Sequence, residues 1–215
     1  MPLVGFSRPV SADQRLPLSI WIDPGCPWAW QTARWVMELR DRGLVSLDWR
    51  LFSLEVNTAG PDVPFTEAAG RYGESLKALA LARLEGGGAG FETYYAELGV
   101  ILHDERAQIS QETARRAAEL ANMGDLVDRA VADPRLGDEI IEEYRRAREL
   151  DVFGVPTLRL GESPVFYGPI MARAPTGAEA VTWWHHVSWL LGRNDIYEMK
   201  RWPRSGRPGE VQTSP

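Results

Sequence analysis

Cysteine is almost missing from this chain of 215 residues: Cys26 stands alone, so no internal disulfide can form and a secreted disulfide scaffold is excluded. Long apolar runs are missing too. The stretch from Leu76 to Leu84 is broken by Lys77 and Arg83, whereas a membrane-spanning helix needs ~20 consecutive apolar residues. The first fifteen residues scatter Pro2, Pro9, Ser11, Asp13 and Gln14 among isolated apolar ones, which leaves no signal-peptide core. A cytoplasmic protein with no membrane partner is expected. Excess positive charge is also absent: a net charge of -6 and a pI near 5.2 give no basic footprint for nucleic acid. Lysine is reduced to Lys77 and Lys200. The run Gly86 to Gly90 lacks the Lys-Ser/Thr of a phosphate loop, and no GxGxxG follows a strand, so no tightly bound nucleotide or flavin is expected.

What remains is an ordinary globular composition, 44% hydrophobic and 25% charged, long enough to bury a sizeable core. Leu16, Leu18, Ile20 and Ile22 alternate at period two and read as a strand ending at Asp23-Pro24-Gly25. From Pro27 the apolar residues Ala29, Trp30, Ala33, Val36 and Met37 fall at helical spacing, and Gly43 closes the segment. Val45, Leu47, Trp49 and Leu51 alternate again as a second strand, parallel to the first across the helix. Residues 54–66 read as loop. Helices are predicted at 67–85, 91–104, 111–123, 125–132 and 134–150, with the glycine run and Asp133-Pro134 as breaks. A hairpin follows, with one strand at Thr157 to Leu160 and another at Val165 to Tyr167, then a last helix at 177–191. The predicted fold class is α/β: a thioredoxin-like core, βαβ…ββα, with a large all-helical insertion between its halves. Residues 16–60 and 151–202 form the core, 61–150 the insertion, 1–15 an extension, and 203–215 a flexible tail.

A cysteine placed just before a helix lies beside unpaired backbone N–H groups and the positive end of the helix dipole, and both favour the thiolate. Cys26 is thus a candidate nucleophile, and Pro27 suits the first helical position because its missing N–H costs nothing there. Taken alone, a single cysteine is more often a small, buried and inert core residue, and it is the context that reverses this. The sequence Val155-Pro156-Thr157 lies just before the third strand, where a thioredoxin fold carries a cis-proline loop facing its cysteine. With a strand–turn–Cys–helix upstream, a cis bond is expected there. Trp28, inside the turn, reads as a half-exposed platform for a flat or apolar substrate, with core packing as the rival reading.

Taken together, the residues resemble the DsbA-like mycothiol-dependent nitroreductases of actinobacteria. The resemblance rests on Asp23-Pro24, Cys26-Pro27-Trp28 and Trp30, Arg34-Trp35, Ser53-Leu54 with Asn57, Ile101 and His103, Gly154 to Thr157, Phe166 to Pro169, and Glu198 with Lys200-Arg201. It implies a thioredoxin core with a helical insertion, a homodimer, and mycothiol as co-substrate; from the residues themselves, no tightly bound cofactor and no metal are expected. By position it makes Cys26 the nucleophile and puts Trp28 and Asn57 in the pocket for substrate or mycothiol. It brings His103 in from the insertion and makes Val155, Pro156 and Thr157 the cis-proline wall. Where family members often read Cys-Pro-Trp-Cys, this chain has Ala29. No internal thiol can resolve a mixed disulfide on Cys26, so an external thiol must.

The expected partners are a small-molecule thiol and an electrophile such as a nitroaromatic or a mixed disulfide. Two other functions fit the same fold: a thiol-dependent isomerase or transferase like the kappa-class glutathione transferases, and a DsbA-like binding protein without catalysis. His103 alone would read as a helix-end residue. His185 and His186 are adjacent on a helix and diverge by about 100°, so they are taken as structural. Trp183, Trp184 and Trp189 are expected to pack the last helix into the core or a dimer interface. The charges Asp138, Glu139, Glu142 and Glu143 with Arg145, Arg146 and Arg148 read as a solvated, salt-bridged face.

Overall fold

The computed structural model describes residues 15–200; the predicted flexible tail and nearly all of the extension lie outside that range. Strands β1 (Leu16–Ile22), β2 (Val45–Leu51), β3 (Thr157–Leu160) and β4 (Phe166–Tyr167) form one sheet in the order β2-β1-β3-β4. β1 is central, parallel to β2 and antiparallel to β3, which pairs antiparallel with β4. Its position explains its composition: Leu18, Ile20 and Ile22 are fully buried and Trp21 nearly so, as both faces of a central strand must be covered.

Helix α1 (Pro27–Asp41) connects β1 to β2 and buries Ala29, Trp30, Ala33, Trp35, Val36 and Leu39. Helix α8 (Gly177–Leu191) packs beside it: the Trp35 indole N–H donates to the Ala180 carbonyl at 3.1 Å, and the Trp35 and Trp184 rings are 6.2 Å apart. Of the three tryptophans expected in the core or a dimer interface, Trp184 lies in the core, and Trp183 and Trp189 are 37% and 53% exposed.

Between β2 and β3 the chain is helical. Residues 54–66 are not a plain loop. Helix α2 (Leu54–Ala59) starts at Ser53, whose hydroxyl accepts the Val56 amide at 3.2 Å, and ends at Gly60 with a positive φ of 98°. α3 (Phe65–Ala68) is a single turn, cut from the next helix at Gly70, which also has a positive φ. α4 spans Gly73–Gly99 with one non-helical residue, Gly87 (φ 61°, ψ -153°), and runs into a π-turn over Val100–Asp104. The glycine run thus bends a helix that the sequence pattern divides in two. α5 (Gln111–Leu120), α6 (Leu126–Ala132) and α7 (Arg135–Glu149) follow. Glu143 departs from the solvated face assigned to it: it is buried and ion-paired with Arg83 of α4 at 2.5 Å, while Glu142 does pair with Arg145 on the surface. Among the described residues no helix is long and apolar enough to cross a membrane.

Candidate active site

The turn between β1 and α1 is held by Asp23. Its buried carboxylate accepts the Gly25 amide at 2.7 Å through Oδ1 and the Leu54 amide at 2.7 Å through Oδ2. One side chain therefore fixes the turn and seats the start of α2. Asp followed by Pro-Gly is the chemistry of such a turn, since a short carboxylate reaches the amide two residues on. Burial, opposed by the two amides, raises the Asp23 carboxyl to about 6. Gly25 is required by close approach: a Cβ there would stand 2.5 Å from Cζ of Tyr72.

Cys26 is the N-cap of α1, with extended backbone, and its sulfur accepts the Ala29 amide at 3.5 Å. The thiol lies 3.8 Å from the Val155 carbonyl, to which it donates. The Val155–Pro156 peptide is cis, and Val155, Pro156 and Thr157 are all buried. The Thr157 hydroxyl donates to the Gly154 carbonyl at 2.7 Å and the Pro156 carbonyl accepts the Gly168 amide at 2.8 Å, so the loop is braced from both ends.

The environment of the sulfur differs from what its place in the sequence predicts. Cys26 is only 6% exposed. Burial pushes its thiol above the ordinary range, and the charge of Asp23 pushes the same way. The amides of Ala29 and Trp28 act downward. The helix N-terminus is present, as the sequence requires, but desolvation outweighs it. Pro27 is half-buried, as is Trp28, which packs against the core.

His103 reaches the turn from the π-turn after α4. Its Nε2 donates to the Pro24 carbonyl at 2.9 Å, and since a carbonyl can only accept, that nitrogen carries the proton. Burial lowers its pKa, which favours the neutral ring at pH 7. Trp30 explains why the π-turn docks here: its ring stacks on His103 at 6.4 Å, and its indole N–H donates to Asp104 at 3.2 Å. Gly99 leaves room for that ring, since a Cβ there would lie 2.4 Å from it.

Asn57 is the site residue whose contacts lead elsewhere. It lies exposed on α2, and its carboxamide oxygen accepts the Tyr144 hydroxyl of α7 at 3.0 Å. Cys26, Pro27 and Trp28 are joined to the Val155–Thr157 loop through the thiol and to His103 through Pro24. The sequence does not mark Asp23 and Tyr72 equally as site residues. The Asp-Pro-Gly turn signal marks Asp23, whereas nothing local marks a tyrosine 47 positions beyond the glycine it covers. A surface cavity of about 450 Å³ is lined by residues such as Pro61, Phe65, Asp138 and Arg145 and by none of this site. Among the described residues no group of three metal-ligating side chains occurs.

Comparison with known proteins gives three findings. A family model described as Rv2466c-like, mycothiol-dependent nitroreductase Rv2466c, matches residues 25–201. The uncharacterized protein Rv2286c of Mycobacterium tuberculosis is 30% identical over 195 residues, covering 88% of this chain and 82% of that protein. Among solved structures, a probable DsbA oxidoreductase, SCO1869 of Streptomyces coelicolor, aligns with a TM-score of 0.58 at 18% identity over 91% of this chain and all of the other. The cytosolic disulfide reductase DsbM of Pseudomonas aeruginosa aligns with 0.56 at 12% identity, over 81% and 100%. These structural likenesses establish the thioredoxin-like, DsbA-type fold.

Proposed function

The chain belongs to the Rv2466c-like family of mycothiol-dependent nitroreductases, and from that premise we propose a monothiol oxidoreductase in which Cys26 exchanges with mycothiol to reduce small electrophiles. One observation carries the reading: the sole cysteine caps α1 while its thiol faces the carbonyl of the cis-proline loop. With a mixed disulfide R–S–S–M, where M is the mycothiol moiety, the Cys26 thiolate attacks the M sulfur and the S–S bond breaks. The R–S⁻ leaving group takes up the proton that Cys26 gave up. A second mycothiol thiolate then attacks the M sulfur, oxidised mycothiol departs, and Cys26 is regenerated. The sum is RSSM + MSH → RSH + MSSM. With a nitroaromatic, Cys26 and one mycothiol together supply two electrons and two protons, giving the nitroso compound, water and the Cys26 mixed disulfide, which the second mycothiol resolves. Ala29 occupies the place of a resolving cysteine, which is why an external thiol is needed. The Ala29 amide on the sulfur supports developing negative charge. His103 holds the Pro24 carbonyl and so positions the turn.

Incubation with oxidised mycothiol followed by intact mass should show a single adduct that free mycothiol removes and that Cys26→Ser lacks. A thiol that stays unmodified at neutral pH rejects the reading. The burial of Cys26 favours one rival, a binding protein without catalysis; absence of turnover with any thiol, together with retained ligand binding by Cys26→Ala, identifies it.

A further inference from the structure

Two aromatic rings stand exposed beside the thiol loop. Phe153 immediately precedes Gly154 and is 60% exposed, and Tyr167 of β4 is 44% exposed. Their centroids are 5.0 Å apart with the planes tilted by 34°. Neither belongs to the core, and large apolar rings are rarely left uncovered in pairs without a use. Tyr167 is held over the loop by the fold: it pairs with Thr157 in the sheet, and the next residue's amide binds the Pro156 carbonyl. The absence of a side chain at residue 154 makes the approach possible, because a Cβ there would come within 3.1 Å of the Tyr167 ring. The loop these rings flank is the one whose Val155 carbonyl accepts a hydrogen bond from the Cys26 thiol. Tyr167 also feels the charge of Cys26: burial first and that charge second raise its phenol pKa.

We propose that Phe153 and Tyr167 form a specificity-determining aromatic rim that holds a planar, electron-poor aromatic ring of the electrophile next to Cys26. The proposal rests on Cys26 being the reacting thiol. The faces of Phe and Tyr are electron-rich, so an electron-poor ring stacks on them more favourably than an aliphatic group of the same area.

The test compares the rate at which Cys26 is modified by 4,4′-dithiodipyridine, an aromatic disulfide, with its rate toward the small aliphatic reagent methyl methanethiosulfonate. It is run in wild type, in Phe153→Leu/Tyr167→Leu and in Tyr167→Phe. The ratio of aromatic to aliphatic rates should fall about tenfold in the double variant, the scale of an aromatic pairing, and stay near wild type in Tyr167→Phe. An unchanged ratio, with both rates lowered or both untouched, means that the rings merely support the loop and overturns the rim while leaving the thiol reading intact. A wild-type thiol silent toward both reagents overturns the thiol reading and the rim with it.

Discussion

Asp23 Oδ2 accepts the amide of Leu54 at 2.7 Å, binding the end of β1 to the first residue of α2 across 31 positions of sequence. Because that carboxyl is raised to about 6 by burial, against about 3.9 in an unfolded chain, the native state holds more protons than the unfolded one between about pH 4 and 6. This contribution to stability is complete below pH 4 and is lost as pH rises through 6. The wild-type stability measured against Asp23→Asn should fall by about 2 kcal/mol between pH 4.5 and 7 in urea unfolding. Taking the difference removes His103, whose lowered pKa acts in the opposite direction. A difference that does not move with pH would show that Asp23 is ionised throughout.

The same carboxylate bears on the thiol. Burial and the Asp23 charge both raise the Cys26 pKa, so the rate of alkylation by iodoacetamide should keep climbing beyond the ~8.5 midpoint of a free cysteine. Asp23→Asn should move the profile to lower pH. A midpoint at or below neutrality in the wild type would contradict this.

This thiol marks the boundary of what the sequence discloses. Cys26 before Pro27 places an N-cap cysteine correctly, because capping is local and is set by a few adjacent residues. How deeply the sulfur is buried depends on Val155, 129 residues away, which no local pattern encodes. The same division runs through the fold. β1, α1, β2 and α8 follow from periodicity, and the ends of α8 coincide with the predicted 177–191. α2 escapes it, because Asn57, Gly60 and Pro61 read as loop while the tether from Asp23 and the Ser53 cap make a helix of six residues. Glu143 escapes for a related reason: helical spacing places it near arginines of its own helix, yet its partner is Arg83 of α4.

Gly87 sits at φ 61° and ψ -153° inside α4, a region essentially closed to residues with a side chain. A Cβ there meets nothing within 4 Å, so the whole effect of Gly87→Ala is backbone strain. It should destabilise the fold by roughly 1–3 kcal/mol, read as a lower urea midpoint. Gly86→Ala, where space is equally open and φ is not positive, serves as the control and should be near neutral or stabilising.

Glu143 joins three elements at once. Its carboxylate binds both terminal nitrogens of Arg83, at 2.7 and 2.5 Å, and accepts the Leu51 amide of β2 at 3.0 Å. Arg83 in turn donates to the Trp49 carbonyl at 3.1 Å. Removing the acid leaves a largely buried guanidinium without its counter-charge and an amide without an acceptor. Glu143→Ala should therefore cost about 3 kcal/mol, the lower end for a broken buried pair, since Arg83 keeps some contact with water. Glu143→Gln keeps one acceptor oxygen and should cost less. The decisive variant is Arg83→Met/Glu143→Met. With no charge left to strand, it should be less destabilised than the sum of the two single methionine changes. Strict additivity in urea unfolding would mean that the two side chains do not interact and that the helices dock on β2 through apolar packing alone.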